Sequence, residues 1–416
     1  MNGYAFDLDP RDPRELRAGR WRTLAPALIG VALITVIAGL RWSPERTWST
    51  LLLSNLYLLF VCLAGALFIS IQFLSNSGWW VVLRRVPEAM MAGLPIVAIL
   101  MLSLFFGREV LYPWAHASAA SPAATAAAGA AAEAAVGEAA SASAFASLYL
   151  NPTFVFVRMA IVLAAWVWLA RAIRKTSLRQ DDDPALAAMY HRRLVIYGAI
   201  FTVVFGVSFS IGSVDWIMSL EPHWSSTIFA VYVFAGLLVS GLAALTLIVI
   251  LLRHFEPLEG IVLDSHLHDL GKLVFAFSTF WAYIWLSQYL LIWYGNLPDE
   301  IPYYAHRTGG PWLRWFLLNP VLNWGVPFLV LLPHASKHNA RVLGAVCVLI
   351  LCGHYLDLYL LIVPDTLKAP AIGPLEILVP IGYVSLFVML TRRALAQAPL
   401  VPRHDPYLDE SLHHHF

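Results

Sequence analysis

Residues 192–252 read RRLVIYGAIFTVVFGVSFSIG (192–212), SVDWIMSLEPHWSS (213–226) and TIFAVYVFAGLLVSGLAALTLIVILL (227–252). Two long apolar runs flank a short corner that carries Asp215, Glu221, His223, Trp216 and Trp224. A helix needs roughly 20 mainly apolar residues to cross a bilayer, and each run supplies them. The pattern recurs along the chain. Apolar windows near 24–40, 50–73, 90–107, 151–171, 194–212, 226–252, 270–293, 311–333, 340–363 and 372–391 qualify as spans. With 59% hydrophobic and 13% charged residues and a mean hydropathy of +0.69, the composition excludes an ordinary soluble domain. The expected fold is an all-α polytopic membrane protein of about ten transmembrane helices.

The net charge of +1 conceals a spatial bias. Of the 27 Lys and Arg residues, most fall on alternate loops: Arg11, Arg14, Arg17, Arg20 and Arg22; Arg84 and Arg85; Arg171, Arg174, Lys175, Arg179, Arg192 and Arg193; Arg253 and Lys272; Lys337 and Arg341; Arg392, Arg393 and Arg403. The other side holds Arg41, Arg46, Arg108, Arg307, Arg314 and Lys368. The positive-inside rule then places both termini in the cytoplasm and the 213–226 corner on the outer face. The expected organisation is an N-terminal cytoplasmic segment (1–22), a membrane domain (23–393) and a cytoplasmic tail (394–416). The basic N-terminal segment has no small-residue cleavage site and does not read as a signal peptide.

Cys62, Cys347 and Cys352 lie in apolar spans, and the spacing of the last two argues against a disulfide. No C-x-x-C-H, no cysteine cluster and no facing pair of intramembrane histidines is present, so no redox cofactor is expected in this chain. Residues 116–147 form an alanine-rich insertion, expected as an outer-face low-complexity loop. SGWWVVLRRVPEAMM (77–91) reads as an inner-face elbow, with Trp79 and Trp80 at the interface and an Arg84–Glu88 pair at i,i+4. The tail DESLHHHF is expected to fray.

Charges inside a membrane cost about 2.5–3.5 kcal/mol each on insertion scales, so those present usually face the bundle interior. His354 and Asp357 stand at i,i+3 in the ninth window, Glu376 one turn into the tenth and Arg158 two turns into the fourth. Arg158 is expected to pair with Asp357 or Glu376. Tyr283, Ser287 and Gln288 add polar groups to the seventh window. Asp264, His266, His268, Asp269 and Lys272 cluster at its inner end. That cluster has no tetrahedral spacing signature, and no metal site is expected there. A continuous proton path would run from the 264–272 cluster through Tyr283, Ser287 and Gln288 to His354, Asp357 and Glu376, with Arg158 beside it. Asp215, Glu221 and His223 would form its outer mouth. In the bland alternative Ser213 or Asp215 caps a short helix, Trp216 and Trp224 sit in the headgroup belt, and the buried charges only fix packing.

SVDWIMSLEPHWSSTIFAVYVFAG (213–236), LHDLGKLVFAFSTFWAYIWLSQYLLIWYGNLPDE (267–300), CGHYLDLYLLIVP (352–364) and the 77–91 elbow together resemble ActF-type subunits of alternative complex III. These are relatives of NrfD and the polysulfide reductase membrane anchor. The likeness runs from about residue 20 to 393, and the alanine-rich insertion departs from it. The resemblance implies two four-helix bundles plus two peripheral helices in the inner membrane of a bacterium. It implies a non-redox subunit of a quinol-oxidising complex that delivers electrons to cytochrome c or to a terminal oxidase. Haem c and iron–sulfur clusters would reside in partners: the iron–sulfur subunit ActB, multihaem cytochrome subunits, the sister subunit ActC and a small membrane subunit. Quinone binding by this chain stays open, lipids are expected neighbours and nucleic acid is not. Two other classes remain, a secondary transporter and a purely structural anchor. A transporter usually has paired broken helices; here only Pro95 and Pro380 read as interrupting a span.

Overall fold

The structure is a computed structural model that describes residues 21–117, 149–222, 224–254, 258–367 and 369–414. Most of the alanine-rich insertion, residues 118–148, lies outside the described residues, as does His223. Every regular element described is helical. Nine of these helices are long and apolar enough to cross a membrane.

The long elements are α1 (Trp21–Trp42), α2 (Pro44–Leu74), the third passage built from α3 (Arg85–Met91) and α4 (Leu94–Ser103), α5 (Pro152–Asp182), α6 (Ala187–Trp216), α7 (Phe229–His254) and α8 (Asp264–Gly295). A short helix, α9 (Ile301–Thr308), precedes the eighth passage. That passage comprises α10 (Leu313–Pro320), a π-helical turn (Val321–Gly325) and α11 (Val326–Leu331). Then follow α12 (His334–His338), α13 (Ala340–Thr366), α14 (Pro374–Leu395) and α15 (Leu408–Leu412).

Local chemistry sets the helix ends. Pro44, Pro152 and Pro374 each open a helix at its first position, where a missing N–H costs nothing. Asn151 accepts from the N–H of Thr153 (3.0 Å) and of Phe154 (3.4 Å), and Asn339 caps α13 in the same way. Asn296 closes α8 in the left-handed region (φ 48°).

The passages pack as two bundles. α2, α3–α4, α5 and α6 form one; α7, α8, α10–α11 and α13 form the other. They meet where α2 crosses α7 and α13. Burial follows this plan: 94% of the most apolar window of α2 is buried, against 17% of that of α1. α1 lies outside the bundles and packs mainly on α14, where Gly382 admits Ala32.

The eighth apolar window is therefore not one helix. Pro320 has no N–H to give, and the chain widens into a π turn directly after it. The third passage is also interrupted, at Ala92–Gly93, with Pro95 starting the next helix. Pro380, by contrast, is carried within the continuous helix α14, correcting the expected break there.

The 77–91 elbow is packed within the protein, not laid bare on its surface. Trp80 is fully buried, its indole N–H donating to Ser77 O at 2.8 Å. The reason is the tail: α15 folds over the elbow, with Ser411 Oγ donating to Trp79 O (2.8 Å) and accepting from Val82 N (3.1 Å). The expectation of a frayed tail fails for residues 408–414.

Candidate functional site

Asp357 is the centre of the second bundle's polar interior. It is buried on α13 and accepts from three neighbours. Trp281 Nε1 of α8 donates to Oδ2 at 3.0 Å, Asn319 Nδ2 of α10 donates to Oδ1 at 2.7 Å, and the Tyr232 hydroxyl of α7 donates to Oδ1. Four helices thus converge on one carboxylate. Asn319 is held in turn by Asn323, whose Nδ2 donates to Asn319 Oδ1 at 2.6 Å. Asn323 itself packs where Gly353 leaves space: a Cβ at 353 would overlap its side-chain oxygen. The π turn positions this pair, since it carries Asn323 four residues after Asn319 and both turn inward.

His354, one turn before Asp357, is also buried, and its Nδ1 lies 3.7 Å from Asp357 Oδ2. Neither ring nitrogen has a hydrogen-bond partner in the protein. A cavity of about 10 Å³ adjoins them, lined by Tyr57, Ser240, His354 and Asp357 among others. That is the lower bound of space for one water. The arrangement is a carboxylate held by three donors next to an imidazole with both nitrogens unclaimed.

On α8, the face bearing Trp281 continues to Gln288, which is buried and has neither amide atom paired within the protein. Tyr283 points the other way: it is 66% exposed on the outside of the bundle, and this removes it from any interior path. Ser287 is half-buried between the two.

The remaining predicted residues do not join Asp357. Arg158 pairs bidentately with Asp215, both contacts at 2.7 Å, and not with Asp357 or Glu376. The reason is that α5 packs beside α6, in the other bundle. Asp215 is consequently a partner of Arg158 and no cap, and Ser213 bonds back to Phe209 O within α6. Glu376 is bound by Arg46 at 2.8–3.1 Å. Glu221 lies 3.4 Å from Arg307, whose Nη2 binds both oxygens of Asp365 at 2.7 Å. Arg307 also lies 3.6 Å from the Tyr303 ring centroid. Burial raises the Tyr303 phenol well above its ordinary pKa, so the cation faces a neutral ring. The corner tryptophans are buried too. Trp224 stacks on Tyr303 at 3.8 Å between centroids, and Trp216 meets Trp166 edge-on, so both rings pack inside the protein instead of facing outward.

The 264–272 cluster divides into separate roles. Asp264 pairs with Arg253 at 2.7 Å. His266 Nδ1 accepts from Leu263 N at 3.0 Å, closing the start of α8, and its Nε2 lies 3.1 Å from Ser411 O. Asp269 holds His414 at 2.6 Å and Lys272. The tail therefore covers this end of α8, where the sequence suggested an open entrance. His268 turns instead to the α12 turn.

The elbow builds a second buried ionic group. Arg84 binds Asp405 of the tail at 2.5 Å and lies 3.5 Å from Glu88, so the expected Arg84–Glu88 pair is the weaker contact. Arg85 binds Glu88 at 2.5 Å, Ser177 at 3.0 Å and Asp181.

Sequence reasoning missed Tyr232, Trp281, Asn319 and Asn323 around Asp357. Two asparagines at i,i+4 within an apolar window were the legible signal, because an amide there needs a partner. Arg307, Asp365 and Asp405 were missed because their partners lie far along the chain. Against known protein-family models and curated proteins, the sequence gives no match.

Proposed function

We propose that this multi-pass membrane protein is a non-redox subunit of a bacterial quinol:acceptor oxidoreductase of the alternative complex III type, serving as scaffold and as part of a proton path. The observation that carries the reading is Asp357, buried where α7, α8, α10 and α13 meet, beside His354 and a water-sized cavity. Ionisable groups at such depth face a bundle interior and mark proton or ion routes. The strings at 77–91, 213–236, 267–300 and 352–364 support membership of the complex by their resemblance to ActF-type subunits. The two-bundle packing with α1 and α14 outside agrees with that family's plan.

In this reading a proton reaches the cavity through water and is taken up by the Asp357–His354 pair. Three donors occupy the Asp357 carboxyl oxygens, so uptake requires one of them to release. His354, whose Nδ1 lies 3.7 Å from Asp357 Oδ2, is the next acceptor, within reach of a water placed in the adjoining cavity. Gln288, buried with both amide atoms unclaimed, offers the next polar step along α8. Haem, iron–sulfur chemistry and quinol oxidation belong to partner subunits.

Purification from native membranes in mild detergent tests the assignment. Multihaem and iron–sulfur subunits co-purify if it holds; a lone polypeptide under the same conditions overturns it. A second reading, a secondary transporter, gains support from the broken eighth passage beside Asp357. Solute uptake by the isolated chain in liposomes would favour it.

A further inference from the structure

Three histidines meet on the basic face, outside the Asp357 site. His334 and His338 are one helical turn apart in HASKH, the whole of α12, and their Nε2 atoms lie 3.5 Å apart. His268, in the first turns of α8, presses its ring against both, with centroids 4.3 and 4.4 Å away. One ligating nitrogen from each of the three lies within 4.8 Å of the other two.

Those separations suit a metal ion. Zn–N bonds of about 2.0–2.1 Å in a tetrahedral site put ligand nitrogens roughly 3.3–3.4 Å apart. The His334–His338 pair already stands near that value. The remaining separations need to close by at most about 1.5 Å, a movement within reach of side-chain rotation. The site also has a floor and a mouth: His268 is 5% exposed, His338 half-buried and His334 exposed. The nearby ammonium groups have partners of their own. Lys272 pairs with Asp269, and Lys337 donates to Leu331 O at 2.6 Å.

We infer that His268, His334 and His338 form a transition-metal site of the Zn²⁺ class, with three protein ligands and a fourth position open to water. Imidazole nitrogen selects Zn²⁺, Ni²⁺ or Cu²⁺ over Mg²⁺ and Ca²⁺. The bound ion ties the turn between the eighth and ninth passages to the start of α8, so it joins the broken passage to the helix that carries Trp281. The sequence conceals this site because His268 lies far along the chain from the His334–His338 pair, and two histidines one turn apart make no tetrahedral spacing signature by themselves.

The test uses the full chain in detergent, stripped of metal and then titrated with Zn²⁺ against a chromophoric chelator. His413→Ala/His415→Ala is the common background, since histidines near the end of the sequence bind Zn²⁺ on their own. The site predicts a single Zn²⁺ bound at low micromolar free metal, with a rise in melting temperature. Second-sphere changes alone typically weaken metal affinity 10–100-fold, so losing two ligands in His334→Ala/His338→Ala should weaken it at least about 100-fold. Co²⁺ in place of Zn²⁺ should give tetrahedral ligand-field absorption that the double variant lacks. The exposed His334→Ala variant alone repeats the comparison if the double variant does not fold. Equal Zn²⁺ affinity in the background protein and the double variant overturns the site, as does no binding by a folded background protein.

Discussion

Asn319 Nδ2 donates to Asp357 Oδ1 at 2.7 Å, so the interrupted eighth passage delivers a donor to the carboxylate in the ninth. The interruption and the site are thus one feature. Replacing Asn319 with Leu removes that donor and leaves Asn323 Nδ2 without its side-chain acceptor. Each group keeps another partner, Asn323 Nδ2 the backbone O of residue 319 and Asp357 Oδ1 the Tyr232 hydroxyl, so the loss is of net hydrogen-bond energy, about 0.5–1.5 kcal/mol per bond. The variant should melt at a clearly lower temperature in detergent, and an unchanged melting temperature would count against this role.

Arg307 holds the opposite face together, bridging Asp365, Glu221 and Leu360 O. Breaking a buried ion pair from one side costs about 3–5 kcal/mol, because the other charge stays behind. Arg307→Met should destabilise the protein by about that amount. Adding Asp365→Leu should recover part of the loss, which a double-mutant cycle of melting free energies measures directly. Purely additive losses would show that the two residues are not coupled.

The bundles meet where Gly241 of α7 faces Ala64 of α2, and a Cβ at 241 would overlap the alanine methyl. Gly241→Ala should force the helices apart at a cost of about 1–3 kcal/mol. Exchanging the two, Gly241→Ala with Ala64→Gly, should restore most of the stability. Failure of the exchange to recover anything would mean that the backbone at 241, and not the close approach, requires glycine.

Arg84 is completely buried, and its shortest ionic contact is to Asp405 of the tail. Asp405→Ala leaves the guanidinium with only the longer Glu88 contact. The tail should then detach, which limited proteolysis would register as faster cleavage after Arg403. Equal cleavage rates would show that Ser411 and His414 hold the tail without the ion pair.

The spans were legible because a bilayer demands continuous apolar length, and nine of the ten predicted windows fall, among the described residues, on helices long and apolar enough to cross. The eighth differs from a plain helix, as Pro320 and the Asn319–Asn323 pair foretold in retrospect. His354 and Asp357 were legible as interior groups because a charge there has nowhere else to face. Their company was not. Partners such as Tyr232, Trp281 and Asn319 are set by which helices adjoin, a tertiary property that hydropathy does not encode. Arg158 shows the limit: depth alone suggested Asp357 or Glu376, while the packing of α5 on α6 gave it Asp215. The 264–272 cluster shows the same, since a tail distant in sequence closes what looked like an entrance.

The central claim is that Asp357 carries protons. The direct measurement is the ratio of protons translocated to electrons transferred by the assembled complex in liposomes, with Asp357→Asn beside the unaltered chain. The substitution keeps the side chain's size and removes its ability to ionise. The account predicts a fall in proton translocation well beyond any fall in electron transfer. Equal loss of both, or loss of neither, would contradict it.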